Sequence, residues 1–333
     1  MINKFIAGMI LSIFLSGCSK DLFYIPGSIQ EEMDKAVDEK FDGMIVYVNQ
    51  AGKSTWYSAG FNNREEQIPA HPADLFKIAS ISKLYIAAVT TKLIAANKLN
   101  LEQTLAELIP EIANRVDNAD QISLRMMISH RSGIPEYIYD PEFNNDINES
   151  YLTTAELIFD KPADFKPNKK YAYSNTNYLL IGEILDRTLG YSHHIYISDE
   201  IITPLGLNNT YSLQNEVDSM QLMSGYVKGL KEDHKGWVYS RPGGSMIATA
   251  EDVGIFLRAL IDGSLLNEKE QTIYSSVYKY EHTGWLPGYT SIARYQSASD
   301  AVIVQFVNTS GKEIFWLSLE RMYSRIVKIV EKQ

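Results

Sequence analysis

The apolar and polar positions of the chain follow two patterns, one typical of β-strands and the other typical of α-helices. Strand patterns occur near both ends of the chain, and helical patterns occupy its middle. Near the start and near the end, apolar runs of strand length are bounded by turn-forming residues. The predicted strands are residues 44–49, 54–61, 277–282, 289–295 and 301–307. The segment Gln50-Ala51-Gly52-Lys53 between the first two is typical of a hairpin turn.

Helical periodicity occupies the middle of the chain and both flanks. Ser28 is predicted to cap a first helix, and Phe315 begins a last helix whose apolar residues recur at three- and four-residue spacings. Residues 83–96 are apolar on nearly every side, which is typical of a helix buried at the centre of a molecule. The other predicted helices are residues 123–129, 153–160, 177–189 and 251–261.

Together these elements predict an α/β (α+β) fold. An antiparallel sheet from the N- and C-terminal strands would be flanked by helices, with a mostly helical domain of about residues 100–240 inserted beside it. The whole unit is predicted to span residues 29–330, which is long enough for one sizeable core.

Composition narrows the classes of partner. The chain has 333 residues, 45% of them hydrophobic, and a formal net charge of −10 without an acidic tail. Binding to a nucleic acid requires a basic face, so nucleic acid is excluded as a partner. The histidines show no metal-ligand spacing, and we expect neither a metal nor a cofactor.

The first residues have the character of an export signal. Lys4 is followed by the apolar run 5–15 and then by Leu15-Ser16-Gly17-Cys18, which contains the one cysteine of the chain. This ending resembles the lipobox of bacterial lipoproteins, in which the cysteine carries the lipid. We therefore predict a signal peptide at residues 1–17 and a lipidated tether at 18–28. The alternative is a signal peptide cut nearby, with Cys18 incidental.

The predicted location follows from that reading. The protein would be exported and anchored by a lipid at Cys18 to a bacterial membrane, on its periplasmic or cell-surface side. The mature chain would then have no further cysteine, and hence no disulfide and no thiolate metal site.

The candidate chemistry begins with Ser80-Ile81-Ser82-Lys83, at the start of the predicted buried helix. Residues three apart lie on nearly the same face of a helix, so the lysine amine can reach the serine hydroxyl. An unprotonated amine can take the proton of that hydroxyl, and burial at a helix N-terminus lowers the pKa of a lysine. The same pattern recurs at Ser276 and Lys279, where the predicted strand would turn the two residues to opposite sides.

Two further motifs follow in order. Tyr173-Ser174-Asn175 precedes a predicted helix, and His282-Thr283-Gly284 lies at the end of a predicted strand. A second Tyr-x-Asn, at Tyr47, falls within the first hairpin. The order and spacing of the three motifs carry the specificity, because each is weak alone.

With these three motifs in order, the chain resembles the serine β-lactamase and penicillin-binding-protein superfamily. The resemblance implies a β-lactamase/transpeptidase-like fold. The tyrosine of the second motif resembles class C β-lactamases, and His282 in the third resembles the D-alanyl-D-alanine carboxypeptidase branch. The resemblance extends over about residues 30–310. It also includes the segments His130-Arg131-Ser132-Gly133-Ile134-Pro135, Pro204-Leu205-Gly206-Leu207 and Gly243-Gly244-Ser245-Met246.

The resemblance implies a role for each motif residue. Ser80 would form an acyl-enzyme, while Lys83 and Tyr173 move its proton. Substrate would be bound by Asn175, His282, Thr283 and Gly284, with Asn175 on its amide and the third motif facing its carboxylate. The oxyanion hole would consist of the backbone N–H groups of Ser80 and Trp285.

Two departures from the family pattern have local consequences. The family has Pro-Gly where this chain has Pro167-Asn168, and asparagine is expected to keep the same left-handed turn. The interval from Gly244 to His282 is short, which predicts an abbreviated strand or pocket wall.

The functions left open differ in substrate. The leading hypothesis is a serine D-peptidase similar to D-alanyl-D-alanine carboxypeptidases, acting on a small peptide. An esterase or a β-lactamase on the same scaffold, and a non-catalytic lipoprotein that binds cell-wall fragments, are the alternatives.

Overall fold

The computed structural model describes residues 27–144 and 149–333. The predicted signal peptide, Cys18 and nearly all of the predicted tether lie outside the described residues.

Eleven α-helices occur in the described residues, several of them extended by 3₁₀ or π turns. They are α1 (Ile29–Glu39), α2 (Ser82–Ala95), α3 (Leu105–Leu108), α4 (Leu124–Ile128), α5 (Tyr151–Ala155), α6 (Asn175–Leu189), α7 (His193–Ile197), α8 (Thr203–Leu205), α9 (Ala250–Asp262), α10 (Glu268–Ser275) and α11 (Glu313–Val330).

Eleven β-strands accompany them in the same part of the chain. They are β1 (Gly43–Gln50), β2 (Lys53–Asn63), β3 (Ile68–Pro69), β4 (Phe76–Lys77), β5 (Thr210–Tyr211), β6 (Tyr226–Val227), β7 (Ile247–Ala248), β8 (Glu281–Leu286), β9 (Tyr289–Gln296), β10 (Ala301–Val307) and β11 (Thr309–Ser310).

The main sheet joins the two ends of the chain, as predicted. Its six strands follow the order β3-β2-β1-β10-β9-β8, and the long neighbours pair antiparallel. At the centre, β1 pairs with β10 in a register that sets Met44 opposite Val307. The predicted α/β class, with an antiparallel sheet and flanking helices, is confirmed.

Helices cover both faces of this sheet, and the alternation along β1 explains why. Met44, Val46 and Val48 point into a core shared with α1 and α11. Ile45 and Tyr47 point the other way, into the larger core around α2, α6 and α9. Successive side chains of a strand face opposite sides, so a strand covered on both faces is apolar throughout.

Local signals explain how the helices begin. Ser28 accepts a hydrogen bond from the backbone N–H of Glu31, whose carboxylate bonds back to Ser28, which forms the predicted N-cap. Helix α2 begins at Ser82, and nearly all of its residues are buried, as the apolar pattern predicts. The region between β4 and β7 is mostly helical, although the limits of an inserted domain stay a prediction.

The predicted strand at residues 277–282 is wrong over its first four positions. Strand β8 begins only at Glu281. The backbone N–H groups of Val277 and Tyr278 instead bond to the carbonyl of Tyr274, which continues the C-terminal turn of α10. The run was predicted as a strand because it contains Val277, Tyr278 and Tyr280, and a short apolar run alone does not distinguish a strand from a helix end.

In residues 27–144 and 149–333, none of the helices is both long enough and apolar enough to cross a membrane.

The contact between α9 and β1 gives a test of the fold. A Cβ atom at Gly254 would lie 2.1 Å from Cε1 of Tyr47. We expect Gly254→Ala to lower the free energy of unfolding by about 1–3 kcal/mol, because a closely packed core has no room for an added methyl group. Urea denaturation measures this value.

Gly236→Ala is the matched control, since a Cβ atom there meets nothing within 4 Å. Its effect should stay below about 1 kcal/mol. Equal stability of the two variants would contradict the packing described for α9.

Candidate active site

The nucleophile candidate lies on a strained turn. Ser80 belongs to the 3₁₀ turn Ala79–Ile81, directly before α2. Ala79 has a φ of 53°, a left-handed conformation that residues with a Cβ atom rarely adopt. The hydroxyl of Ser82 holds the turn, donating to the carbonyl of Ala79 at 2.6 Å and accepting from the N–H of Met246 at 3.3 Å. Ser80 is therefore presented on a fixed backbone.

Lys83 lies one turn further on and is 1% exposed. Its Nζ is 3.1 Å from Oγ of Ser80, 2.8 Å from Oδ1 of Asn175 and 2.8 Å from the carbonyl oxygen of Gly243. These three partners come from distant parts of the chain.

The partners also determine where the lone pair of a neutral amine points. A carbonyl and an amide oxygen can only accept, so Gly243 and Asn175 use both N–H groups of a neutral Lys83. A hydroxyl can donate as well as accept, which leaves the lone pair facing Ser80. Neutral Lys83 is thus oriented to take the Ser80 proton.

Because Lys83 is buried, a substantial fraction of its side chain is the neutral amine near neutral pH. Desolvation lowers the pKa of Lys83 to about 7, and the nearby Glu136 carboxyl opposes this shift. Such a value suits a general base working near pH 7.

Tyr173 reaches the same hydroxyl from the other side, its OH donating to Oγ of Ser80 at 2.8 Å. The ring stacks on His130 with centroids 4.4 Å apart, and Nζ of Lys83 lies 5.1 Å from the ring centroid. His130 is itself fixed by accepting the N–H of Ser174 at its Nδ1. Tyr173 keeps an exposed edge, but desolvation of the phenol raises its pKa well above the ordinary value. It therefore holds its proton at neutral pH.

Asn175 is engaged at both ends of its side chain. Oδ1 accepts from Lys83, while Nδ2 donates to Oε2 of Glu136 at 3.0 Å. The backbone N–H of Asn175 donates to the same oxygen at 2.6 Å. Its predicted role in binding a substrate amide stays a prediction, and its observed contacts orient the amine of Lys83.

The third motif lies on the edge strand β8. His282 stacks on Tyr278 with centroids 6.1 Å apart, and its Nδ1 bonds to the carbonyl of Thr283. Desolvation, reinforced by Lys83, lowers the pKa of His282 to about 3, so the ring is neutral at physiological pH. Because Nδ1–H donates to the Thr283 carbonyl, Nε2 of the neutral His282 ring can accept a hydrogen bond from a substrate, but the ring supplies no positive charge.

Gly284 brings β8 against the nucleophile turn. A Cβ atom there would lie 2.4 Å from the carbonyl oxygen of Ile78 and 3.1 Å from Cβ of Ala79. Only glycine permits this approach. It sets Trp285, which is 52% exposed, beside the turn that carries Ser80. An edge strand leaves alternate N–H groups unpaired, which suits the predicted oxyanion hole.

The repeated motifs elsewhere lie outside this arrangement. Ser276 donates to the carbonyl of Ile273 at the end of α10, and the Lys279 side chain is 83% exposed and pairs with Glu281. Tyr47 is buried in β1.

The structure brings the three motifs of the sequence together around Ser80, and their catalytic roles stay predictions. Asn168 has a φ of 61°, which confirms its left-handed turn. Sequence reasoning missed Glu136, which directly follows the segment 130–135 noted for its family resemblance. A glutamate after a proline in a loop has no pattern of its own, and only this position beside a known motif could have drawn notice.

A comparison with known families decides the assignment. The family model described as "Beta-lactamase" matches residues 28–290, which is most of the chain. The chain belongs to the beta-lactamase family. Within this family it is a serine hydrolase, and the constellation around Ser80 is where its chemistry is expected.

Curated relatives cover part of the chain. Protein flp of Staphylococcus aureus (strain MW2) is 25% identical over 168 residues, covering 50% of this chain and 34% of its own length. A putative D-alanyl-D-alanine carboxypeptidase of Escherichia coli (strain K12) is 27% identical over 180 residues, covering 51% of this chain and 41% of its own. The matches thus span less than half the length of these two relatives.

The fold has a solved counterpart along almost its whole length. D-amino acid amidase from Ochrobactrum anthropi SV3 superposes with a TM-score of 0.80 at 21% identity, covering 91% of this chain and 98% of that one. At this identity the likeness shows a common fold.

The pKa of Lys83 gives a prediction for the pH profile. If neutral Lys83 is the base, kcat/KM for an activated ester should rise with pH through about 7, because deprotonation creates the reactive form. Lys83→Arg should lower kcat/KM by about 10²–10⁴-fold, since a guanidinium does not deprotonate near neutral pH.

The exposed Lys98 offers a control on the same segment, and Lys98→Arg should keep the wild-type profile. A flat profile between pH 5 and 9, or an active Lys83→Arg protein, would contradict the assignment of the base.

Proposed function

We propose that the protein hydrolyses an amide bond next to a D-amino acid, through an acyl-enzyme at Ser80. One observation carries the proposal: a single, partly exposed serine hydroxyl contacts both an amine with a pKa near 7 and a phenol that keeps its proton. Such a pair can remove one proton and deliver another without any cofactor.

In the acylation step, Oγ of Ser80 bonds to the substrate carbonyl carbon while its proton passes to Nζ of Lys83. Tyr173 gives its phenol proton to the leaving nitrogen as the carbon–nitrogen bond breaks, and Lys83 returns a proton to the phenolate. Negative charge on the carbonyl oxygen is met by the N–H groups of Ser80 and Trp285 in this scheme.

In the deacylation step, water attacks the ester carbon. Its proton travels through Tyr173 and Lys83 to Oγ of Ser80 as the ester bond breaks. The side chains end in their starting protonation states, so the cycle is balanced.

The D-peptidase assignment is supported by the family and by the names of its relatives. Both "D-alanyl-D-alanine carboxypeptidase" and "D-amino acid amidase" describe hydrolysis of amides of D-amino acids. A peptidoglycan stem peptide is the corresponding substrate for a protein held at the cell surface.

A second candidate, an amidase for uncharged D-amino acid amides, is favoured by the neutral His282. A carboxypeptidase binds a substrate carboxylate, for which an imidazole with a pKa of about 3 supplies no positive charge. An uncharged carboxamide needs no positive charge, because its N–H can donate to Nε2 of His282 and the Thr283 hydroxyl can also bond to it. Esterase, β-lactamase and non-catalytic binding remain weaker alternatives.

A substrate panel distinguishes these activities. We expect kcat/KM to be higher for a D-Ala-D-Ala peptide or a D-alanine amide than for their L counterparts, with Ser80→Ala inactive toward all of them. His282→Lys should shift preference toward the carboxylate-bearing peptide, because a lysine there adds positive charge facing that group.

Covalent labelling with a fluorescent penicillin provides a control that does not depend on the substrate. Equal labelling of wild type and Ser80→Ala would rule out Ser80 as the nucleophile. If the protein hydrolyses simple esters but neither peptides nor amides, it is an esterase and not a D-peptidase.

We also propose that the protein is exported and anchored through a lipid on Cys18, on the basis of the apolar run and the Leu-Ser-Gly-Cys ending. Metabolic labelling with a palmitate analogue should mark the wild type but not Cys18→Ser. The Cys18→Ser protein should also be absent from the membrane fraction. Lipid labelling of Cys18→Ser, or an unlabelled wild type, would contradict the anchor.

A further inference from the structure

We propose that Glu136 is a positioning residue that orients the amide of Asn175 and, through it, the amine of Lys83. This inference rests on the proposed function of the site, and no motif of the chain points to Glu136.

The carboxyl group of Glu136 contacts Asn175 at two points. Oε2 of Glu136 accepts both the backbone N–H of Asn175, at 2.6 Å, and its Nδ2, at 3.0 Å. Oε1 accepts the N–H of Ile138 at 3.2 Å. Three N–H donors directed at one carboxyl group favour its ionised form, although burial raises its pKa.

This contact determines the direction of the Asn175 amide. A carboxylate can only accept, so the NH₂ end of Asn175 must face Glu136 and the oxygen must face Lys83. Turning the amide over would set two oxygens together on one side and two N–H donors together on the other. The carboxylate therefore fixes the acceptor that Lys83 needs.

The orientation of the Asn175 amide affects the nucleophile through Lys83. With Oδ1 of Asn175 and the carbonyl of Gly243 each taking one N–H, the remaining position on Nζ faces Ser80. Removing the anchor at Glu136 frees Asn175 to rotate, so the lone pair of Lys83 loses its direction.

The charge of Glu136 acts on the same amine. The groups acting on Lys83 in the described residues are His130, His282, Tyr173, Tyr178 and Glu136. Burial lowers the pKa of both histidines and raises the pKa of both phenols, so these four are uncharged at neutral pH. Glu136 is thus the anion of this set. Its negative charge raises the pKa of Lys83, so the amine can accept and hold the proton of Ser80 during the reaction.

The local backbone structure holds the Glu136 carboxylate beside Asn175. Glu136 caps the 3₁₀ turn Tyr137–Tyr139. On either side of it, the hydroxyl of Thr176 donates to the carbonyl of Pro135 at 2.6 Å and accepts the N–H of Tyr137 at 3.1 Å. The capping segment is therefore fastened to the first turn of α6, which carries Asn175.

The test separates charge from geometry with two variants. Glu136→Gln removes the charge and sets an NH₂ group among N–H donors, whereas Glu136→Asp keeps the charge on a shorter side chain. For an uncharged activated ester, we expect kcat to fall about 10- to 100-fold in both variants while KM stays unchanged. Glu142→Gln, on an exposed glutamate of the same region, is the control and should behave as wild type.

A second measurement needs no substrate. In protein labelled with carbon-13 at lysine Cε, the Lys83 resonance is identified by its absence from Lys83→Ala and then titrated. We expect its pKa to drop in Glu136→Gln, because the anion that stabilises the ammonium is gone, and to stay near the wild-type value in Glu136→Asp.

An unchanged Lys83 titration in Glu136→Gln, an unchanged kcat, or an effect confined to KM overturns the proposal. The titration remains decisive even if the wild type hydrolyses no ester, since that result would count against the proposed function alone. Thermal unfolding of each variant confirms that the measurements are made on folded protein.

Discussion

The site depends on keeping one amine out of water while satisfying each of its hydrogen-bonding positions. Lys83 is almost fully buried, and a buried amine without partners would be too costly to retain. Its partners are two oxygens that can only accept and one hydroxyl that can also donate. That asymmetry makes a buried lysine useful as a base, because it leaves a single direction for the lone pair.

A second buried lysine shows that burial alone does not make a base. Lys77 is 2% exposed, and desolvation lowers its pKa to about 7 as well. Its Nζ, however, bonds to three backbone carbonyls, those of His234, Lys235 and Trp237. Three acceptors need three N–H groups, so this geometry favours the ammonium form of Lys77. The three bonds hold the loop at residues 234–237 in place. The identity of the partners, and not the pKa, separates the two lysines.

The sequence predicted the parts of this structure that short patterns encode. The cap at Ser28, the buried helix after Ser80 and the gathering of three motifs follow from periodicity, local chemistry and family resemblance. Contacts between distant segments have no such pattern. Glu136 could not be recognised because its meaning comes from Asn175, 39 positions away. The start of β8 was misplaced because the backbone N–H groups of Val277 and Tyr278 bond to the last turn of α10 and not to a neighbouring strand.

The order of strands in the sheet has a consequence for how the chain is made. Strand β1 is synthesised long before β10, which is one of its two neighbours in the sheet. Met44 therefore cannot pair with Val307 until the whole segment between them has been made. Pairing over so long a loop gives a high contact order and slow folding, and β1 lacks one of its two partners in the sheet until β10 has been synthesised.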